Sequence, residues 1–326
     1  MKSSSVGRLL RLLVAAGLTV FLLWKSQPRE VLRAALHADL RWIGLAVALV
    51  FADRTLMAYR WLVLLRPLAH ERLPSFNTIM RIFFVSTFVG TFLPASIGGD
   101  AVRAFSLARQ NVSGAASVGS VLMDRMLGVV SILLLGAAAL PFTPDLAKNG
   151  MVVAGLLVTA LACLVAVLLV FSVRAGTLAQ QLAARVPVAI VQRAGQSIID
   201  AVQRYASSRE ELINVLAGSV AVQVLRVLQA GCLGAALGIQ VPLITYFAFI
   251  PLVLLIMLLP VTINGLGTSQ AAFLWFFARA GVSSADAFAL SVLFVALGIV
   301  GNLPGGLLYA SRGLSQGTQA SRSHER

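Results

Sequence analysis

The chain has 326 residues, 59% hydrophobic and only 12% charged, with a mean hydropathy of +0.90 and a formal net charge of +14. A soluble domain carries about twice that charged fraction, so composition excludes an ordinary soluble enzyme and predicts an all-α, polytopic integral membrane protein. The surplus of 26 Lys and Arg over 12 acids suits topology signals and anionic lipid, and no RNA- or DNA-binding pattern accompanies it, so nucleic acid is not an expected partner.

A span needs roughly 20 mostly apolar residues. Residues 9–24 form the first, read as an uncleaved signal anchor: Lys2, Arg8 and Arg11 precede it, and Trp24-Lys25 ends it without a small-residue cleavage site. Residues 25–41 set Arg29, Arg33 and Arg41 beside Val31, Leu32, Ala35 and Leu40, which predicts a short interfacial helix. The second span, about 42–65, closes in Tyr59-Arg60-Trp61, read as an interfacial aromatic and basic cluster. Residues 82–93 are too short to cross alone and run into Leu93-Pro94-Ala95-Ser96-Ile97-Gly98-Gly99-Asp100, so they predict the first limb of a re-entrant hairpin returning through 101–108. Spans follow at about 116–140, 151–173 and 212–237.

Between the last two lies a basic connector, 174–211, with Arg174, Arg185, Arg193, Arg204 and Arg209. Ile198, Val202 and Tyr205 recur there at helical spacing, which predicts an amphipathic helix resting on the membrane surface; a plain solvated connector is the other reading. The chain re-enters over 243–259, breaks at Leu259-Pro260-Val261-Thr262-Ile263-Asn264-Gly265-Leu266-Gly267, and returns through 268–277. A last span, about 285–310, precedes a polar tail expected to be disordered, 311–326. The expected organisation is one transmembrane domain over 1–320, with halves of about 1–173 and 212–310.

Aligned on proline, the two breaks share L-P-x-[S/T]-I-[G/N]-G. In lipid a broken helix must line a cavity or be covered by protein, and paired breaks in two halves point to a transporter-type site. About six full crossings and two hairpins put both termini on one side, and the basic loops place that side in the cytoplasm, with 25–41 the one dissenting loop. The first hairpin then enters from the cytoplasm and the second from outside, an inverted repeat.

Few ionisable groups fall within spans: Asp53 and Arg54, Asp100 and Arg103, Asp124 and Arg125, and Arg226. Such groups are costly in lipid and face a cavity or a partner. Asp100 and Arg103 are spaced to pair with each other on a helix. Asp124 and Arg125 point about 100° apart, so they seek different partners: one arrangement has Asp124 holding a neighbouring arginine while Arg125 faces an anionic ligand. Every intramembrane cation is arginine, whose planar fork suits phosphate better than lysine does. The expected ligand is therefore a phosphate-bearing lipid head group. The alternative is that these charges form buried ion pairs fixing helix register, the reading adopted for Asp53 and Arg54. Arg226, with Gln223 and Gln229 on one polar stripe, is read as lining a cavity.

Gly98, Gly99, Gly265 and Gly267 either open the hairpins so that backbone N–H groups meet a ligand or permit close packing. Gly305-Gly306 after Pro304 reads as packing or a kink. Cys163 and Cys232 lie in apolar runs, and His37, His70 and His324 are scattered. With no zinc spacing, catalytic triad or phosphate-binding P-loop, no metal, cofactor or catalytic set is expected.

Phe92–Arg103 (F-L-P-A-S-I-G-G-D-A-V-R), Val121–Gly128 (V-L-M-D-R-M-L-G) and Pro260–Thr268 (P-V-T-I-N-G-L-G-T), in that order, resemble the lysylphosphatidylglycerol synthase transmembrane family, a flippase-like domain; Arg60-Trp61 fits the same pattern. The resemblance covers essentially the whole chain. It implies a bacterial or archaeal cytoplasmic-membrane protein that moves a modified phospholipid or other lipid-linked species between leaflets. It points to Pro94, Gly98, Gly99, Asp100, Arg103, Asp124, Arg125, Pro260, Gly265 and Gly267 as the site, beside Asn264 in the second break. Where the family carries an acidic residue after the second break, this chain has Ser269-Gln270, and a neutral Gln270 cannot act as carboxylate partner or proton carrier. No soluble synthetase domain follows, so lysyl transfer is not expected. The alternative function is a membrane accessory or scaffold for a lipid or polysaccharide synthase. A membrane transferase would have only Asp100 and Asp124 as catalytic acids.

Overall fold

The structure, a computed structural model, describes residues 36–68, 73–92, 97–110, 112–172, 189–258 and 267–324, with 174, 177, 178, 180 and 181. Apolar runs and their caps account for the helices. Asp39 accepts from the Arg41 N–H at 2.9 Å to start α1 (Leu40–Leu65), and Ser113 accepts from Ala116 at 3.2 Å to start α4 (Gly114–Ala139). Between them lie α2 (Phe76–Phe92) and α3 (Ile97–Ala108). Asn149 caps α5 (Gly150–Phe171), and then come α6 (Ala189–Gln203), α7 (Arg209–Ala236), α8 (Leu243–Leu258), α9 (Thr268–Phe277) and α10 (Ser284–His324). No strand occurs among the described residues. A side chain that caps a helix satisfies donors the helix leaves free, and in lipid no water replaces them.

Five of these helices are long and apolar enough to cross a membrane: Leu40–Leu65, Gly114–Phe142, Gly150–Leu168, Arg209–Ala236 and Ser284–Tyr309. The expected first span, 9–24, lies outside the described residues, as do most of the interfacial helix predicted over 25–41, His70, Arg185 and both helix breaks at 93–96 and 259–266. On either side of those breaks the expected limbs are present. α2 has 17 residues and α8 has 16, about 25 Å each at 1.5 Å per residue and short of a bilayer core of about 30 Å. Ser86, Thr87 and Thr91 return their hydroxyls to carbonyls one turn back on α2, so no hydroxyl is left bare. Gly99 of α3 lies on Gly90 of α2: a Cβ at Gly99 would sit 2.9 Å from the Ser86 carbonyl oxygen and 3.1 Å from Gly90 Cα. Only glycine lets the two limbs close to that distance.

The register of α1 against α7 fixes where the limbs enter. The two helices run antiparallel, from the Asp39 N–H on the Ala236 carbonyl (2.9 Å), through Gln229 Nε2 on the Leu49 carbonyl (3.3 Å), to Gly218 against the stem of Arg60. α8 begins at the Leu40 end of α1, where Leu243 packs on Gly231 and Tyr246 on Gly234. α2 begins at the other end, where Ile79 and Ile82 join Leu64, Leu65 and Leu68. The two helix pairs thus enter from opposite ends of α1.

Two apolar clusters result. One gathers Trp61, Leu65, Ile79, Leu107, Met123 and Tyr205; the other gathers Val50, Val227, Phe249, Phe273, Phe277 and Leu290. α5 packs on α4 at the edge and turns Leu157, Leu161, Leu164 and Leu168 outward, as a lipid-facing helix does. α10 runs through Pro304 as one helix and continues to His324, across most of the stretch that composition assigns to a disordered tail.

The connector contains the expected helix, α6. It docks on α4, because Gly119 leaves room for Ala201, whose Cβ would lie 3.1 Å from one built there. Tyr205, fully buried, donates its hydroxyl to the Leu64 carbonyl at 2.7 Å. Burial, foremost, pushes that hydroxyl's pKa well above its ordinary value and keeps it a donor. Tyr205→Phe should cost about 1 kcal/mol and raise protease cutting within the connector; an unchanged digestion pattern would mean the dock contributes nothing.

Candidate functional site

Charged and polar side chains from five helices meet between the two apolar clusters. α1 brings Arg54 and Arg60, α3 Asp100 and Arg103, α4 Asp124 and Arg125, α7 Gln223 and Arg226, and α10 Asn302. They wall a cavity of about 290 Å³, head-group sized and at the small end of ligand pockets. Arg54 lies about 21 Å along α1, itself about 39 Å long at 1.5 Å per residue, so this part of the wall is near the middle of the helix. Gly90 and Thr91 at the end of α2, Gly99 of α3 and Leu258 at the end of α8 also line it. Both interrupted pairs therefore reach the same space.

Asp124 and Arg125 diverge on α4 as neighbours on a helix must. Asp124, 4% exposed, is held by two arginines: Arg60 Nη2 donates to its Oδ1, and Arg103 Nη1 to its Oδ2 at 3.0 Å. The Arg103 guanidinium also lies 4.1 Å from the Trp61 ring centroid and 5.2 Å from that of Phe83, a desolvated cation–π contact. Trp61 is fixed in turn by its indole N–H on Ser120 Oγ, 3.1 Å. Arg125 forks onto Asp100, with Nε–Oδ2 and Nη2–Oδ1 both 2.8 Å. This bidentate pair is the accessible one, its side chains 44% and 20% exposed.

A second set lies further along α1. Asp53 Oδ2 accepts from Arg54 Nη1 at 3.1 Å and lies 3.8 Å from Arg226 Nε. Arg54 Nε donates to Asn302 Oδ1 (3.1 Å), and Asn302 Nδ2 to Thr91 Oγ1 (3.0 Å), which ties α1 and α10 to the end of the first limb. Gln223 donates to Ser131 Oγ at 3.2 Å.

Several expectations change. Asp100 and Arg103 do not pair with each other, because α3 packs along α4 and the divergent Asp124 and Arg125 each take one of them. Arg125 is not free to face a ligand alone; Asp100 occupies its fork. Arg60 and Trp61 are not interfacial: they are 3% and 0% exposed, turned inward on α1, while Tyr59 alone faces out at 40%. Arg54 is both in an ion pair and on the cavity wall. Gln270 is not on that wall. Its Oε1 accepts from the Gly267 N–H at 2.5 Å and the Ser269 hydroxyl at 3.0 Å, capping its own helix where Gly267 takes φ 85°. Gln229 ties α7 to α1 and also lies off the wall. Gly98 sits half-buried in α3, beside the wall that Gly99 forms. Pro94, Pro260, Asn264 and Gly265 fall outside the described residues. Among the charged and amide side chains on the wall, those missed from sequence are Arg60 and Asn302; a charge beside a tryptophan within an apolar run, and a lone amide in the last span, were the available signals. Among the described residues no group of three metal-ligating side chains occurs.

These features define a multi-pass α-helical membrane protein built around an arginine-walled cavity where two interrupted helix pairs meet. The chain belongs to the lysylphosphatidylglycerol synthase TM region family, whose model matches residues 8–305. Comparisons with curated proteins and with solved structures return no match.

Proposed function

We propose that this protein translocates a lipid with an anionic, phosphate-bearing head group between the leaflets of the cytoplasmic membrane, with both its termini in the cytoplasm. The observation that carries this reading is five guanidiniums on one small interior cavity, from Arg54, Arg60, Arg103, Arg125 and Arg226. A phosphate stranded in hydrocarbon has lost its hydration shell, and forked N–H donors replace it. Arg125 is the first contact, since its pair with Asp100 is accessible and can exchange one carboxylate for a phosphate at little net cost. Arg103 and Arg60 lie deeper and receive the head group next. The tails stay in lipid, for which an apolar groove of about 710 Å³ between α5, α8 and α9, lined by Gly155, Leu252 and Trp275, offers a track.

In vesicles reconstituted with the protein and a head-group-labelled phospholipid, Arg125→Ala should reduce leaflet exchange to the protein-free rate. Its folding stability should change by no more than about 1 kcal/mol, as expected for an exposed pair. Exchange equal to wild type would end this assignment.

A further inference from the structure

Each buried acid of the central belt is shared by two arginines: Asp124 by Arg60 and Arg103, and Asp53 by Arg54 and Arg226. Each set keeps one positive charge in excess. Asp100 and Arg125 cancel, so among the described residues the belt holds five guanidiniums against three carboxylates, a surplus of two. Residues 93–96 and 259–266 contain no ionisable residue. Unused donors mark the same place: among the described residues Arg60 Nε, Arg103 Nε and Arg103 Nη2 make no hydrogen bond, although their residues are only 3% and 4% exposed, and the acceptors Asp53 Oδ1 and Gln223 Oε1 are likewise unpartnered. The Arg103 guanidinium also lies over the Trp61 and Phe83 rings. Uncompensated charge in a dry interior is strongly unfavourable unless an opposite charge joins it. The two surpluses arise at different levels of α1, with Asp53 and Arg60 seven residues apart, about 10 Å of helix rise at 1.5 Å per residue, and the arginines of both sets reach the same cavity.

We propose that the cavity is a two-point anion site whose ligand carries two negative charges on phosphate, as a phosphomonoester or diphosphate does, in preference to the single charge of a phosphodiester. This rests on reading the cavity as a phosphate site and names the class of phosphate. A phosphomonoester carries about −1.5 to −2 at pH 7, enough to answer both surpluses.

The purified full-length chain in detergent is titrated, near pH 7.5, with short-chain phosphatidic acid, short-chain phosphatidylglycerol and inorganic pyrophosphate. Phosphatidic acid should bind at least about tenfold tighter than phosphatidylglycerol, a difference of about 1.4 kcal/mol. Arg226→Gln, which removes one surplus charge, should narrow that ratio to about twofold. With the preference present, pyrophosphate competing against phosphatidic acid upholds the site as one for a free, multiply charged phosphate, and failure to compete upholds it as one for a lipid. Equal affinity of wild type for the two lipids overturns the inference while leaving the phosphate reading in place. Failure of all three probes to bind overturns both. The wild-type ratio decides the matter even if the variant does not fold.

Discussion

Asp124→Ala is expected to destabilise the protein by about 3–5 kcal/mol, the usual result of removing one side of a buried ion pair. The carboxylate is 4% exposed and is the only acid in contact with Arg60 and Arg103 among the described residues. Without it, two buried guanidiniums lose the carboxylate that both contact, and their elements, α1 and α3, lose their common tie to α4. Asp100→Ala provides the contrast. Its partner Arg125 is 44% exposed, so solvent screens the loss to less than about 1 kcal/mol. Thermal unfolding of both variants in one detergent reads the difference directly. If the two melt together, the Arg60–Asp124–Arg103 set is not what holds the centre. Adding Arg60→Met to Asp124→Ala should recover part of the loss, because it removes one of the stranded charges and keeps the buried stem.

Gly305→Ala is the second large effect. α10 and α2 meet at this glycine, and a Cβ there would overlap the Phe84 carbonyl group and come within 2.8 Å of Phe88 Cβ. The obstacle is backbone, which cannot rotate aside, so the helices must part; overpacking of this kind costs about 1–3 kcal/mol. α2 also carries Thr91, whose hydroxyl holds Asn302 at 3.0 Å and through it Arg54. Parting the helices therefore reaches the cavity wall, and leaflet exchange should fall along with the melting temperature. Gly298→Ala, on the same helix with nothing within 4 Å of the added carbon, should leave both unchanged or raise stability by up to about 1 kcal/mol. Equal behaviour of the two variants would rule out the close approach.

The limbs of the second pair were legible to within a residue and those of the first to within about six, because an apolar run acts on the backbone locally. So was the presence on the cavity wall of most of its charged residues, since a charge inside a span has nowhere to go but inward. Their pairing was not legible. Asp100 and Arg103 share a helix at a spacing that permits an ion pair, yet each turns to α4, to Arg125 at 2.8 Å and Asp124 at 3.0 Å respectively. Arg60 looked like a membrane-surface anchor because it ends an apolar run, and only tertiary packing, with Asp124 of α4 on its guanidinium and Gly218 of α7 against its stem, makes it interior. Gln270 was placed at the site by its position after the second break, and local hydrogen bonding drew it back onto Gly267.

By itself, then, the chain determined its all-α, membrane-spanning character, the two interrupted segments and the restriction of intramembrane cations to arginine. These follow from composition and from backbone chemistry that operates over a few neighbouring residues. The tertiary structure alone decided which acid neutralises which arginine, and hence where positive charge is left over. That depends on helices brought together across 64 residues for Arg60 and Asp124 and 248 for Arg54 and Asn302. Spacing along one helix sets only the face a side chain presents, and a charge interacts with whatever group the packing puts within a few ångströms of it.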